Sequence, residues 1–507
     1  MFQDEDEIYT FLQATCLPII MATATILFFF KTTNASKQTI SIPGNPRGKY
    51  PLMGDTLQLL NPKTMAAYQV FSRQAHGPIW RTSVLFHKCI FVSGAKNLQQ
   101  LSKQEQHHRN TAACFPPHHR GLFGHHSVLV TSGREHLRLR SLITPTLQAS
   151  KYTEEIDSAV TAFVARCHSH RGEYFPLVEE FKQFSLSVAL RIVLGERRWN
   201  EWMECDDSES RLKSLLEDFA IWSKGLLSPP TSFIPFTDSY RAMKARRRIH
   251  DVLLEIIQEE KEVMHSKDGS SDNRSKCLIE RLLRATTNNE SGDKSFLSEE
   301  AIIDNIFTIV FAGTDTTASV LTSAFYELAK NDELRERLET CVEKGDLAVD
   351  STDHDVVDET LRAFISEVQR CYPAAPFTMR NIAEKEIDLG DQYGRVPAGF
   401  NITYSIAGTL LDDEDEYNHP SKFDMDRWLT TKDTKPLKNW AFGGGFRMCP
   451  GRFLSVAESV ALLRVVLDKK DGFQWKLKSD QDLTYSYTPG FFPKDGLVVK
   501  IESHERS

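Results

Sequence analysis

The chain has 507 residues, a formal net charge of −8 and 41% hydrophobic residues. That is apolar material for a large core, and the acidic balance excludes a nucleic-acid binder, which needs a basic domain. Nine scattered cysteines without a C-x-x-C pair form neither a disulfide framework nor a zinc ribbon, and they fit a reducing compartment.

In chain order, residues 8–30 are mostly apolar and long enough to cross about 30 Å of hydrocarbon. Asp4, Glu5, Asp6 and Glu7 precede them, and Lys31, Lys37, Arg47 and Lys49 follow. The positive-inside rule then predicts one transmembrane helix with the rest of the chain in the cytoplasm. A cleaved signal peptide wants a basic start, and this start is acidic. Thr10, Gln13, Thr15, Thr23 and Thr25 leave a partly interfacial helix open. Residues 41–55 alternate prolines (Pro43, Pro46, Pro51) with Gly44 and Gly48, which reads as a stiff connector. Residues 79–93 are rich in β-branched and aromatic side chains and predict a hairpin. The doublets His107-His108, His118-His119 and His125-His126 match no zinc-finger spacing and read as exposed loop residues. From about residue 133 helical periodicity dominates. In the helix predicted over 240–262, the basic run 244–248 reads as a solvated face. The polar stretches 266–275 and 288–295 read as loops. No boundary interrupts residues 40–500, so the fold expected is one large, mainly α domain with minor β.

Three segments carry chemistry. Residues 298–330 predict one long helix, with Ser298 as N-cap and Glu299 and Glu300 on its positive end. Inside it lie Ala312, Gly313, Thr314, Asp315, Thr316 and Thr317. A mid-helix glycine costs about 0.5–1 kcal/mol relative to alanine, and here it leaves room for a ligand against the helix. A carboxylate followed by a hydroxyl can relay protons toward reduced dioxygen; ordinary serine/threonine back-bonding is the alternative. Glu367 and Arg370 form an i,i+3 acid–base pair, in isolation an ordinary helix contact. Residues 442–451 place Cys449 in a glycine-rich loop, with Arg447 before it and Gly451 after. A thiolate there suits an axial ligand to haem iron, glycine lets backbone approach a flat macrocycle, and a guanidinium can fork onto a propionate.

Residues 442–451 resemble the haem-binding signature of the cytochrome P450 superfamily, F-x-x-G-x-R-x-C-x-G, at every fixed position. The resemblance implies the fold of that family, preceded by the transmembrane helix, and haem b bound with Cys449 as its thiolate ligand in a loop containing Phe442 and Gly443. By the family's acid–alcohol motif, Asp315 is the proton-relay acid and Thr316 the oxygen-activating alcohol. Glu367 and Arg370 match E-x-x-R, and Pro420, Phe423, Arg427 and Trp428 match P-x-x-F-x-x-x-R-F/W. The implied Glu367–Arg370–Arg427 network is structural and buttresses the haem loop. His136 and Arg140 resemble the propionate-binding W-x-x-x-R element, with histidine in first place, and Arg380 and Arg447 match two further propionate arginines. Phe115, Phe123, Ala312, Ala375, Phe377 and Phe491 lie in stretches that line the family's substrate pocket.

Residues 225–230, 236–237 and 240–247 resemble a branch that holds retinoic-acid hydroxylases, plant steroid-hormone hydroxylases and sterol demethylases. The implied activity is monooxygenation of a lipophilic substrate of the sterol, retinoid or terpenoid class. Dioxygen is the co-substrate, and NADPH supplies electrons through a separate reductase, since the chain has no P-loop or G-x-G-x-x-G. Lys435, Lys438, Arg447 and Arg452 are basic residues for such a partner. The implied layout is an anchor over 1–31 in endoplasmic-reticulum lipid, a hinge over 32–55 and a catalytic domain over 56–507. Two alternatives share the fold. One is a peroxide isomerase or dehydratase that needs no reductase; the other is a non-catalytic haem binder. Retention of Asp315 and Thr316 argues against both.

Overall fold

The computed structural model describes residues 42–502 except 45–53, 60, 85–86, 109–110, 114, 116, 206, 267–276, 288–296, 348–350, 379–381, 391 and 430–435. The expected anchor and most of the proline-rich connector lie outside these residues. Among the described residues no helix is long and apolar enough to cross a membrane.

The longer helices are α1 (Met65–His76), α2 (Ala95–His108), α3 (Pro117–Phe123), α4 (Gly133–Ile143), α5 (Thr153–Ser169), α6 (Leu177–Leu194), α7 (Glu196–Met203), α8 (Ser208–Lys224), α9 (Asp238–Ser266), α10 (Leu278–Thr287), α11 (Glu299–Lys330), α12 (Asp332–Leu347), α13 (Ser351–Cys371) and α14 (Arg452–Leu467). The expected mainly helical architecture is therefore present. Helices α6 and α11 are apolar on nearly every side and run through the main core, as helices without a solvent face must. The Ser298 hydroxyl caps α11 by accepting from the Ala301 N–H at 3.1 Å, and the helix runs unbroken for 32 residues.

The predicted hairpin is strands β1 (Ile79–Val84) and β2 (His87–Val92), antiparallel with Ile79 opposite Val92. Trp80 stacks on Phe91 across it at 5.3 Å. With β3 (Thr111–Ala112), β5 (Phe377–Thr378), β6 (Ile382–Ala383) and β9 (Asn401–Ser405) it builds one sheet of order β1-β2-β9-β6-β3, with β5 also paired to β9. A second buried cluster, including Ile90, Leu98, Tyr404 and Trp440, lies against this sheet. Strands β4 (Tyr174–Pro176), β10 (Gln474–Leu477) and β13 (Val498–Glu502) form a second sheet, while β7 (Ile387–Asp388) pairs with β8 (Arg395–Val396) and β11 (Tyr485–Tyr487) with β12 (Phe491–Pro493).

One expectation fails inside α9. The basic run is not wholly solvated: Arg246 is buried and pairs with buried Asp304 of α11. It falls on the same helical face as Ala242, Ala245 and Ile249, which pack into the core, so periodicity carries it inward. Lys244, Arg247 and Arg248 do stay exposed.

Candidate active site

The cysteine loop is held from several directions. The Cys449 N–H donates to the Phe442 carbonyl at 3.0 Å, closing the loop on itself. Gly443 and Gly445 take positive φ of 71° and 66°. Gly444 packs so closely on α2 that a Cβ would stand 2.5 Å from the Ser102 hydroxyl. Burial pushes the Cys449 thiol up, and the Gly451 N–H together with the charges of Arg140 and Arg452 pull the other way.

Behind the loop, α13 supplies the acid–base pair. Glu367 and Arg370 are fully buried. Arg370 forks onto Glu367 at 2.9 and 2.8 Å and donates to the carbonyls of Leu410, Pro420 and Lys422. Glu367 also accepts from Arg427 at 3.3 Å, from the Asp424 N–H at 2.8 Å and from the Trp428 indole N–H at 2.8 Å. Burial alone would raise the Glu367 carboxyl, but Arg370 and these N–H donors outweigh it and hold Glu367 below its ordinary range. A link that the motif reading missed joins this network to the loop: Asn439 donates to Gln369 at 2.7 Å and accepts from the Ala441 N–H at 3.0 Å. Gln369 lies inside E-x-x-R, but only the fold reveals its partner.

On the loop's flank, α4 brings His136 and Arg140 together with Arg447. Arg140 donates to the Met448 carbonyl, the His136 ring meets Phe446 edge-on at 5.8 Å, and Arg447 donates to the Thr131 carbonyl at 2.6 Å. His136 Nδ1 lies 2.9 Å from the Val128 carbonyl. Arg380 falls outside the described residues.

Helix α11 carries the acid–alcohol pair. Ala312 and Thr316 lie one turn apart and are exposed, whereas Thr314, Asp315 and Thr317 are buried. The Thr316 hydroxyl donates to the Ala312 carbonyl at 2.7 Å. Asp315 points to the opposite side, where Lys182 of α6 stands 3.7 Å away and over the Phe492 ring. Burial pushes the Asp315 carboxyl above its ordinary range, and Lys182 pulls against that shift. The Thr317 and Ser455 hydroxyls, 3.2 Å apart, stitch α11 to α14, the helix that starts just after Cys449.

The expected pocket residues fall into separate groups. Phe115 and Phe123 meet at 5.9 Å, and Phe123 continues onto Trp222 and Phe311 at 5.3 and 6.2 Å. Phe377 packs toward Phe91 at 6.4 Å, near the hairpin. Phe491 sits among Tyr372, Tyr485 and Tyr487. Ala375 is exposed, like Ala312. Trp222, Phe311, Lys182 and Ser319 escaped motif reading. The Ser319 hydroxyl bonds both the carbonyl and the N–H of Phe491 at 3.0 Å. The histidine doublets also need correction. His125 and His126 are exposed, but His118 and His119 are partly buried and bonded to backbone.

A half-buried cysteine with an N–H aimed at its sulfur, two arginines and a histidine at its loop, and an exposed alanine–threonine face on a helix stitched to the next element make a donor set. It fits a flat macrocycle carrying a metal and two carboxylates. The family model for cytochrome P450 matches residues 43–501. The chain therefore belongs to the cytochrome P450 family, monooxygenases that carry haem b with a cysteine thiolate as axial ligand. It is 25% identical to abscisic acid 8'-hydroxylase 3 of Oryza sativa subsp. indica, over 92% of this chain and 87% of that one. It is also 25% identical to cytochrome P450 26A1 of Danio rerio, over 98% of both chains. The solved structure of retinoic acid bound cyanobacterial CYP120A1 shares the fold, with a TM-score of 0.75 and 24% identity over 92% of this chain and all of that one.

Proposed function

We propose that the protein inserts one oxygen atom from dioxygen into a lipophilic substrate of the sterol, retinoid or terpenoid class, with electrons from NADPH delivered by a separate reductase. The observation that carries this reading is the pairing of the Cys449 loop with the Asp315–Thr316 turn through the α11–α14 stitch. When haem b is bound, it supplies the redox chemistry by which dioxygen is cleaved and a C–H bond oxidised. Cys449 is the residue that would hold its iron, with Phe442 and Gly443 shaping the loop around the sulfur. His136, Arg140, Arg447 and Arg380 would hold the propionates, which for Arg140 and Arg447 means exchanging a backbone carbonyl for a carboxylate.

Thr316 lies on the exposed face of α11, and its hydroxyl, which donates to the Ala312 carbonyl, would turn from that bond to hand on a proton. Asp315, whose carboxyl burial pushes above its ordinary range, resupplies that proton from the far side of the helix. Phe115, Phe123, Ala312, Ala375, Phe377 and Phe491, from separate groups, are the apolar contacts offered to an apolar ligand. Lipophilic substrates are also in keeping with the similarity to an abscisic acid hydroxylase and to a retinoic acid-bound fold. In the same reading residues 1–31 anchor the chain in the endoplasmic-reticulum membrane, 32–55 form a hinge and 56–507 the cytoplasmic catalytic domain.

The test is reconstitution with an NADPH-dependent reductase and a panel of sterols, retinoids and terpenoids under ¹⁸O₂. A product with one labelled oxygen that needs NADPH is expected. Turnover of a lipid hydroperoxide without reductase, and no labelled product from the panel, would contradict the reading.

A further inference from the structure

The aromatic wall containing Phe123 hangs from one short helix, α3, whose two ends are secured by different chemistry. At its C-terminal end the Leu122 carbonyl accepts from the Trp222 indole at 3.0 Å and from Arg246 Nε at 2.9 Å. Arg246 also pairs with buried Asp304, which takes the His126 N–H at 3.0 Å. Gly124, at a φ of 90°, lies so close that any Cβ would overlap the Asp304 carboxylate. These are charge-assisted, buried contacts.

At the N-terminal end, among the described residues, the hydrogen bonds come from two histidines. His118 Nε2 lies 3.0 Å from the Gly225 carbonyl, and His119 Nε2 lies 2.9 Å from the next carbonyl, Leu226. Both acceptors sit just past the end of α8, where the Gly225 carbonyl also accepts from the Ser228 hydroxyl at 3.1 Å. Gly225 is closely packed there: a Cβ on it would stand 2.4 Å from that of Ala242 and 3.4 Å from Leu122. Ser239, also 3.3 Å from His118 Nε2, has its hydroxyl directed at the Pro229 carbonyl.

We propose that His118 and His119 are positioning residues of the substrate pocket: a two-point clamp that holds α3, and with it Phe123 and Phe115, against the turn between α8 and α9. Each ring must present a protonated Nε2 to its carbonyl. For His119 the buried Nδ1 has no hydrogen-bond partner among the described residues, which marks the neutral Nε2–H tautomer. Burial also pushes the His119 ring below its ordinary range. The histidine bonds hold α3 through single contacts to turn carbonyls, whereas the other end is tied by the indole and by an arginine that is itself paired with a buried carboxylate, so α3 opens from its histidine end. The clamp thus sets how readily a ligand passes Phe123 and how closely that ring covers it. Its meaning for substrate rests on the pocket reading above.

The test uses haem-loaded full-length protein and two readouts. The first is amide hydrogen exchange across 117–123 and 225–228. The second is the dissociation rate of 1-phenylimidazole, followed optically. The double variant His118→Phe/His119→Phe should speed exchange in both segments and raise dissociation on the order of tenfold, the scale of losing ordinary hydrogen bonds. The double variant His118→Gln/His119→Gln, whose amide nitrogens can donate to the same carbonyls, should stay within about twofold of wild type. Unchanged exchange in the phenylalanine variant overturns the clamp. The clamp also fails if the glutamine variant is as fast as the phenylalanine variant. Faster exchange as expected, but no binding of 1-phenylimidazole to wild type, would support the clamp and overturn the pocket reading instead.

Discussion

Two buried carboxyls on neighbouring helices have opposite fates. Glu367 on α13 is met by Arg370, Arg427, the Asp424 N–H and the Trp428 indole, and its carboxyl is held below the ordinary range. Asp315 on α11 has Lys182 at 3.7 Å, and burial drives it above its ordinary range. Glu458 on α14, buried with no charge pulling on it, is pushed well up as well. Burial is common to all three; the number and closeness of donors decides the outcome. A carboxylate saturated with donors is an anchor that stays charged. One with a single distant partner holds its proton more tightly than an exposed carboxyl does.

The largest test of that contrast is Glu367→Ala. It strands Arg370 in the core, which costs about 3–5 kcal/mol. The haem-to-protein ratio and the unfolding midpoint should both collapse, while an intact haem content would break the anchor half of the comparison. Next is Asp315→Asn, which should lower reductase-supported turnover about a hundredfold, the scale of general acid catalysis. Binding of a lipophilic ligand and haem content should not change.

Third is pH. Asp315 is raised, so its contribution to stability is present at low pH and lost as pH rises through its folded pKa. Glu367 is lowered, so its contribution is present above the ordinary glutamate range and lost as pH falls through its folded pKa. If Asp315 donates as an acid, activity falls on the same alkaline limb. Lys182→Met, by removing the pull that lowers Asp315, should move that limb to higher pH; an unmoved limb would separate Lys182 from the acid. The smallest effect is expected from Ser319→Ala, which frees the Phe491 backbone at the loss of about 1 kcal/mol. Product ratios should shift a few-fold while haem content stays constant.

What was legible in the sequence was local. The Cys449 loop, the Asp315–Thr316 turn and E-x-x-R are each fixed by residues a few positions apart, so their geometry follows from one helix or one loop. The β1–β2 hairpin and the Ser298 cap followed from composition and capping chemistry in the same way. What was missed spans distance. Ser319 finds Phe491 across 172 positions, Arg246 finds Asp304 across 58, and His118 and His119 each find their carbonyls across 107. The serine and the histidines have no motif signal, because their partners are backbone on another element; Arg246 had a periodic one, on the face of Ala242, Ala245 and Ile249. Arg246 misled through the basic residues beside it, which do face solvent.

The central claim is that Cys449 is the thiolate ligand in a site whose far wall is Thr316. The reduced-carbon-monoxide difference spectrum tests it most directly. Wild type should show the band of thiolate-ligated haem, and Cys449→His should lose that band while retaining haem. A wild-type band where histidine-ligated haem absorbs, or a thiolate band that survives Cys449→His, would contradict the account.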